Sequence, residues 1–152
     1  MTTPLRLDVR RPAAGGESEF ELSLDVPSDL GYVGPAVELI ADRFRQGVLS
    51  PRRVRFNLRT ALAEALANAI AYGNRLDARR LVHVRVEAGR DAVHIHVTDT
   101  GDGFDPAAVP DPTLPGRVDR EDGRGLFVLR SLVDHVTFSA RGNSICLTLR
   151  AG

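Results

Sequence analysis

Two polar side chains that could bind a metal ion or move a proton stand four residues apart, at Glu64 and Asn68. Residues at this spacing lie on one face of a helix, here roughly opposite the apolar stripe that contains Leu62 and Leu66. A carboxylate and an amide oxygen are hard ligands that Mg²⁺ accepts, and a carboxylate next to a bound triphosphate could also deprotonate a nucleophile. Taken alone, the pair is also typical of a solvated helix face, so both interpretations stay open at this point.

An acidic turn with the sequence Asp-Thr-Gly-Asp-Gly begins at Asp99, where a predicted strand ends. Asp99 has the strand parity of Val93 and Val97, which places its carboxylate on the core side. A carboxylate there is unfavourable unless a donor satisfies it, and an exocyclic amino group such as that of adenine would do so. Gly101 and Gly103 allow the backbone to turn and to approach a flat ring. A simple strand-ending turn is the alternative. A calcium loop is excluded because its downstream Glu is not at the required spacing.

A second glycine pair, Gly123 and Gly125, flanks Arg124 and is followed by Leu126 where the last predicted helix opens. Free backbone N–H groups and the helix dipole make such a terminus an anion site. Arg124 could add a charge-assisted contact to phosphate. A flexible hinge is the alternative. The chain contains no Lys, so this segment is not a P-loop.

Hydrophobic periodicity predicts the elements that carry these residues. Alternating apolar and polar residues predict strands at residues 20–26, 81–86, 93–98, 136–139 and 144–149. Helical spacing predicts helices over residues 33–44, over about residues 51–72, and from 126 to 133. Ser28 is the predicted N-cap of the first helix, and Gly73 with Asn74 ends the second. The Pro- and Gly-rich segment from Phe104 to Asp122 has no periodicity, which is typical of a functional lid.

The order of these elements predicts a two-layer α/β sandwich. Hairpins give antiparallel strand pairs, and helices inserted between strands must pack on a sheet face. Because the strands alternate, only one face is expected to pack on helices. We therefore expect a mixed, mostly antiparallel sheet with helices on one face, in a single domain over residues 18–152. A flexible leader rich in Arg, Pro, Ala and Gly is expected over residues 1–17.

The composition restricts the partner and the compartment. The 20 basic and 20 acidic residues cancel, so no global field attracts nucleic acid or a membrane surface. The chain has no signal-peptide core and no apolar stretch of membrane-spanning length. The chain has a single cysteine, Cys146, which indicates a reducing compartment. Cys146 itself is expected to be buried as a small hydrophobic side chain. We therefore expect a cytoplasmic protein. His94 and His96 share a strand face, but without a third ligand they are expected to face solvent.

The three motifs follow one another in the order helical Glu-x3-Asn, strand-end Asp-x-Gly-x-Gly and loop-to-helix Gly-x-Gly, with the predicted lid before the last. This order resembles the N, G1 and G2 boxes of the gyrase, Hsp90, histidine-kinase and MutL (GHKL) type of ATPase, and it implies the Bergerat, or histidine-kinase-like, ATPase fold. Within that superfamily the chain is most similar to the bacterial anti-sigma-factor serine kinases, over about residues 18–150. The runs that begin at Glu64 and at Gly123 carry much of this resemblance.

The resemblance implies a set of roles around one molecule of ATP with Mg²⁺. Asn68 would bind the Mg²⁺, Glu64 would act as the general base, and Asp99 would hold the adenine amino group. Gly101 and Gly103 would line the base. The residues implied near the phosphates are Tyr72, Gly123, Arg124, Gly125 and Leu126.

The function implied by the resemblance is a protein-serine kinase that is also an anti-sigma factor. Its implied partners are a sigma factor and a small STAS-domain anti-anti-sigma factor that is phosphorylated on Ser, and the family commonly forms homodimers. A non-catalytic module that binds ATP and sequesters a partner protein is one alternative. A sensor or structural domain without nucleotide is another, and calorimetry with ATP and Mg²⁺ would distinguish it.

Overall fold

One antiparallel sheet carries the fold. The computed structural model describes residues 5–10, 18–44, 47–101, 121–140 and 142–151. The strands in these residues are β1 (Arg6–Arg10), β2 (Ser18–Pro27), β3 (Leu81–Gly89), β4 (Ala92–Thr98), β5 (His135–Phe138) and β6 (Ser144–Arg150). They form a single sheet in the order β1-β2-β3-β4-β6-β5, and each neighbouring pair is antiparallel. The predicted α/β fold with a mostly antiparallel sheet is therefore confirmed.

The described α-helices are α1 (Val33–Ala41), α2 (Arg59–Asn68) and α3 (Glu121–Leu132). None of them is long and apolar enough to cross a bilayer. The prediction that Ser28 caps the first helix is wrong. Asp29 caps the 3-10 turn Leu30–Tyr32 that precedes α1, and its Oδ1 accepts a hydrogen bond from the Gly31 N–H at 2.9 Å. The N-cap position of α1 itself is Tyr32, which makes no side-chain cap bond.

The helical segment around α2 is longer than the α-helix itself. π-Helical turns at Arg53–Leu58 and Ala69–Gly73 extend it at both ends, so the predicted helix over about residues 51–72 is confirmed in extent. The wider turns were not predicted, because an apolar stripe indicates the buried face rather than the hydrogen-bond pattern of the backbone. Near the first turn, the Asn57 amide donates to the carbonyl of Leu132 at 2.8 Å, which joins this segment to the end of α3.

The helices and one face of the sheet share an apolar core. The buried sheet residues are Leu22, Leu24, Val26, Val82, Val84, Val86, Val93, Ile95, Val97, Leu147 and Leu149. The buried helical residues that pack with them include Val37, Ile40, Leu58, Leu62 and Leu66. Burial of each such side chain contributes roughly 1.5–3 kcal/mol, which holds the helical layer on this face. The alternate strand residues lie on the opposite, open face.

The open face carries His94, His96 and Cys146. His94 Nδ1 lies 3.0 Å from Thr148 Oγ1, and Cys146 Sγ lies 3.9 Å from His96 Nε2. Burial raises the pKa of the Cys146 thiol and lowers the pKa of His96, so both are held in their neutral forms. Cys146, expected to be buried, is only partly buried, because strand parity gives the core position to Leu147.

Strand β1 differs from the predicted leader. It pairs antiparallel with β2, from Arg6 opposite Asp25 to Arg10 opposite Glu21. The leader prediction over residues 1–17 therefore does not hold for residues 6–10, whereas residues 1–4 and 11–17 lie outside the described residues. Most of β1 is exposed, and its backbone hydrogen bonds to the edge of β2 are what order it.

Candidate functional site

The end of the α2 segment meets the end of β4 at two glycines. A Cβ atom on Gly73 would overlap the carboxylate of Asp99 and would lie 2.8 Å from the Cβ of Asp99. A Cβ atom on Gly101 would overlap the carbonyl group of Gly73, with its carbon 2.9 Å away. A larger residue at either position would therefore force its neighbour to shift. The predicted contact of Gly101 with a base stays a prediction.

The carboxylate of Asp99 is partly buried beside this contact. Its Oδ1 accepts a hydrogen bond from the Gly101 N–H at 2.8 Å. Burial raises the pKa of Asp99, and the hydrogen bond from Gly101 opposes that change. An ionised carboxylate can accept about four hydrogen bonds, and within the described part of the chain only this one reaches it. Asp99 therefore keeps acceptor capacity for an amino group on a ligand.

The turn between β5 and β6 holds Asp99 from the other side. The Asp99 N–H donates to the carbonyl of Asn143 at 2.9 Å, and Asn143 Nδ2 donates back to the carbonyl of Asp99 at 3.2 Å. Ser139 Oγ donates to Asn143 Oδ1 at 3.1 Å and so orients the amide. The sequence indicated only a hairpin turn here. Nothing in the sequence connects Asn143 to Asp99, because the two residues are 44 positions apart.

Asn74 supports the same loop from the end of the α2 segment. Its N–H donates to the carbonyl of Ala69 at 2.8 Å, which confirms its predicted place at the end of the helix. Its fully buried side chain also bonds to Ser28, Leu81 and Thr100. This second role of Asn74 was not predicted from the sequence. The only available signal was an Asn, a residue able to bond backbone groups, directly after the helix-ending glycine.

Glu64 and Asn68 lie on one face of α2, and both are partly buried, while Ala65 and Leu66 between them face the core. The predicted shared face is therefore present. Neither side chain has a hydrogen-bond partner among the described residues. Asn68 directly precedes the turn Ala69–Gly73, which packs against the Asp99 loop. Within the described ranges, the amide of Asn68 thus lies one π-helical turn before Gly73, the residue that contacts Asp99, and the carboxylate of Glu64 lies one further helical turn along α2.

The predicted roles of Tyr72 and Gly103 are not tested by the structure. Tyr72 lies in the turn Ala69–Gly73, with half of its side chain exposed, and its predicted position near phosphate groups stays a prediction. Gly103 lies outside the described residues, as does the predicted lid from Phe104 as far as residue 120.

The last helix begins earlier than predicted. α3 starts at Glu121, so the residues expected to open it lie inside its first turns instead; they are Gly123, Arg124, Gly125 and Leu126. A glycine costs only about 1 kcal/mol relative to alanine inside a helix, so the glycine pair does not mark the boundary. The first four N–H groups of a helix lack an acceptor within it, and such groups can bind an anion. The predicted anion site at this terminus stays a prediction.

Comparison with known proteins identifies the family to which the chain belongs. A family model described as the histidine kinase-like ATPase domain matches residues 26–149. The chain belongs to this family. The matched segment includes Glu64, Asn68 and Asp99, so the family assignment and the site rest on the same part of the chain. The chain is also similar to the serine/threonine-protein kinase BtrW of Bordetella bronchiseptica, with 27% identity over 99 residues, which is 64% of this chain and 70% of BtrW.

The side chains of this histidine kinase-like ATPase domain fit a nucleotide with a divalent cation. The family implies ATP. Asp99 offers an acceptor for the amino group of adenine, beside the glycine contact. Mg²⁺ is commonly bound through one or two protein oxygen ligands together with substrate phosphates, and Glu64 and Asn68 are ligands of that kind. No three His, Cys, Asp or Glu side chains in the described ranges are arranged to hold a metal without a substrate.

Proposed function

We propose that this histidine kinase-like ATPase domain is a protein serine/threonine kinase that also acts as an anti-sigma factor. The observation that carries the kinase part is the position of Glu64. Its carboxylate shares a partly buried helix face with Asn68, in the segment that packs against Asp99. The similarity to BtrW, a serine/threonine-protein kinase, supports the same class of reaction.

In this proposal Asp99, Asn68 and Glu64 have one role each. Asp99 accepts a hydrogen bond from the amino group of adenine, and Asn68 supplies an amide oxygen to Mg²⁺. The metal, when bound, neutralises charge on the phosphates. Glu64 accepts the proton of the seryl hydroxyl while the seryl oxygen bonds to the γ-phosphorus, the bond from that phosphorus to the bridging oxygen breaks, and ADP leaves.

The proposed partners are a sigma factor, which the chain would sequester, and a STAS-domain anti-anti-sigma factor, which would accept the phosphoryl group. The motifs that begin at Glu64 and Gly123 support this assignment, since they resemble those of the anti-sigma-factor serine kinases. The formal net charge of +0 also favours protein partners over nucleic acid. Such a regulator would act in the cytoplasm. A homodimer is part of the proposal, with the open sheet face as the contact surface.

A single-turnover assay with labelled ATP, Mg²⁺ and purified candidate STAS-domain proteins tests the kinase function. The wild-type chain is expected to phosphorylate one of them. Glu64→Gln is expected to slow the transfer by about 100-fold or more while ATP affinity changes little, because a positioned general base contributes roughly that factor. Glu38→Gln is the matched control, because Glu38 is also a helical carboxylate but pairs with Arg59.

Two results would contradict different parts of this proposal. Transfer that is undiminished in Glu64→Gln would remove Glu64 from the role of base. ATP binding by the wild-type chain without transfer to any candidate would contradict the kinase function, and it would support a non-catalytic module that binds ATP and sequesters a partner.

The role of Asn68 is tested separately by the metal dependence of binding. Asn68→Ala is expected to bind ATP in Mg²⁺ only as tightly as the wild-type chain does in EDTA. Asn57→Ala is the control for loss of an amide, because the Asn57 amide bonds to the carbonyl of Leu132, at the end of α3. A wild-type affinity that is the same in Mg²⁺ and in EDTA would argue against a metal at Asn68.

A further inference from the structure

Asn74 is a buried polar side chain whose hydrogen bonds divide between two parts of the fold. Its relative exposure is 0%. On one side, Nδ2 donates to Ser28 Oγ at 2.9 Å and to the carbonyl of Leu81 at 3.1 Å. On the other side, Oδ1 accepts from the N–H of Thr100 at 2.9 Å and from Thr100 Oγ1 at 3.1 Å. The amide thus uses both of its donors and both of its acceptor sites.

The partners fix the direction in which this amide points. The carbonyl of Leu81 can only accept, and the single hydroxyl proton of Ser28 goes to the carbonyl of Arg80 at 2.8 Å. Both groups therefore require the nitrogen of Asn74. The oxygen must then face Thr100, where two donors meet it. A flipped amide would place its oxygen against the carbonyl of Leu81 and its nitrogen against the N–H of Thr100, and so would lose both of these bonds, which determine the orientation.

Thr100 is the central residue of the loop that carries the candidate base-binding carboxylate. Asp99 precedes it, and Gly101, which follows it, donates its N–H to Asp99 Oδ1 at 2.8 Å. The anchor at Thr100 and the orientation of the carboxylate are thus properties of one three-residue turn. Displacement of Thr100 would move the carboxylate and its Gly101 donor together.

We propose that Asn74 is a positioning residue for base recognition, which holds Thr100 so that Asp99 presents its carboxylate to the amino group of adenine. The proposal rests on the proposed function only as far as ATP binding, and it does not depend on kinase activity. The oxygen and the nitrogen of the Asn74 amide have different roles in this proposal. The oxygen side determines which base is preferred, whereas the nitrogen side joins α2, β2 and β3 and supports folding alone.

The positioning role of Asn74 can be measured as the ratio of the dissociation constants for ATP and for inosine triphosphate. Inosine carries a carbonyl oxygen where adenine carries the amino group, so a correctly placed carboxylate at Asp99 favours ATP. A purely structural loss would weaken the binding of both nucleotides equally. The ratio of the two dissociation constants is therefore insensitive to general destabilisation, which is followed by the thermal midpoint of unfolding.

The test compares Thr100→Val with Ser28→Ala by calorimetric titration of both nucleotides. Thr100→Val keeps the shape of the side chain and the backbone bond but removes the hydroxyl donor to Asn74 Oδ1. It is expected to reduce the ATP preference about 3- to 10-fold, the equivalent of one hydrogen bond. Ser28→Ala is expected to lower the thermal midpoint and to leave the preference unchanged. Asn74→Ala, where it folds, is expected to reduce the preference further than Thr100→Val does.

The outcomes separate this inference from the proposed function. A wild-type preference retained in Thr100→Val, or lost equally in Ser28→Ala, would overturn the positioning role while ATP binding stands. A wild-type chain that binds no ATP would overturn the proposed function and this inference together.

Discussion

Replacement of Gly73 by alanine is expected to disable the candidate nucleotide site without unfolding the protein. The new Cβ atom would overlap the carboxylate of Asp99 and would lie 2.8 Å from the Cβ of Asp99. Rotation of the carboxylate away from Gly73 relieves the overlap with its outer atoms, but the Cβ of Asp99 is fixed to its backbone, so the Asp99 loop must also shift. That rotation removes the acceptor from the place where the base is expected to bind.

Two opposing terms set the change in stability for Gly73→Ala. Overpacking of this kind costs about 1–3 kcal/mol. Alanine in place of glycine in a helical turn returns up to about 1 kcal/mol. The net loss in the free energy of unfolding is therefore expected to stay within about 3 kcal/mol. A hydrogen bond to a charged group contributes about 1.5–3 kcal/mol, so the ATP affinity is expected to fall roughly 10- to 150-fold.

Calorimetric titration with ATP and Mg²⁺ measures the change in affinity, and urea unfolding measures the change in stability. Gly34→Ala is the matched control, because Gly34 also lies in a helix, α1, and a Cβ atom added there would meet nothing within 4 Å. That control is expected to be neutral or stabilising, with unchanged ATP affinity. If Gly73→Ala bound ATP as tightly as the wild-type chain and were equally stable, the contact between Gly73 and Asp99 would have no part in binding.

Two further substitutions test the supports of the site and of the fold. Asn143→Ala removes the bond to the Asp99 carbonyl and the bond from Ser139, and it is expected to destabilise the protein by about 1–3 kcal/mol in urea unfolding. An unchanged free energy of unfolding would contradict the support of Asp99 by Asn143. The Arg150 N–H and Arg53 hold the pKa of Asp134 below 3.8, so its stabilisation is present above pH 3.8 and is lost as the pH falls through the lowered value. Asp134→Asn should therefore be less stable than wild type at pH 7 and equally stable in acid, and a pH-independent difference would contradict this.

Periodicity in the sequence was sufficient for the elements that bury one face. Alternation predicted the strands later found as β2 to β6, and the 3.6-residue period put Glu64 and Asn68 on one side of a helix. These predictions succeed because burial on one face imposes its own spacing on the chain. β1 was missed although Leu7 and Val9 alternate with charged residues, because the surrounding Pro, Gly and Arg indicated a loose segment. Pairing with the edge of β2, which orders β1, is a tertiary interaction.

The site was predictable in its chemistry and not in its supports. An aspartate at a strand end, followed by glycines, indicated a carboxylate that could accept hydrogen bonds from a ligand. The bonds that hold it come from Asn74, 26 residues from Thr100, and from Asn143, 44 residues from Asp99. Such bonds depend on where the packed elements bring distant loops, which periodicity does not encode. The need for glycine at Gly73 has the same origin, since it arises only when two elements approach closely.

The most direct test of the central claim is the binding of ATP and of inosine triphosphate to Asp99→Asn. With its oxygen retained by the N–H of Gly101, the new amide would present its NH₂ group to the base, which repels the amino group of adenine and suits the carbonyl of inosine. We expect the wild-type chain to prefer ATP and Asp99→Asn to lose at least about tenfold in ATP affinity while it binds inosine triphosphate more tightly than ATP. Unchanged affinities for both nucleotides in Asp99→Asn would show that the base binds elsewhere and would contradict the assignment of Asp99 as the residue that binds the base.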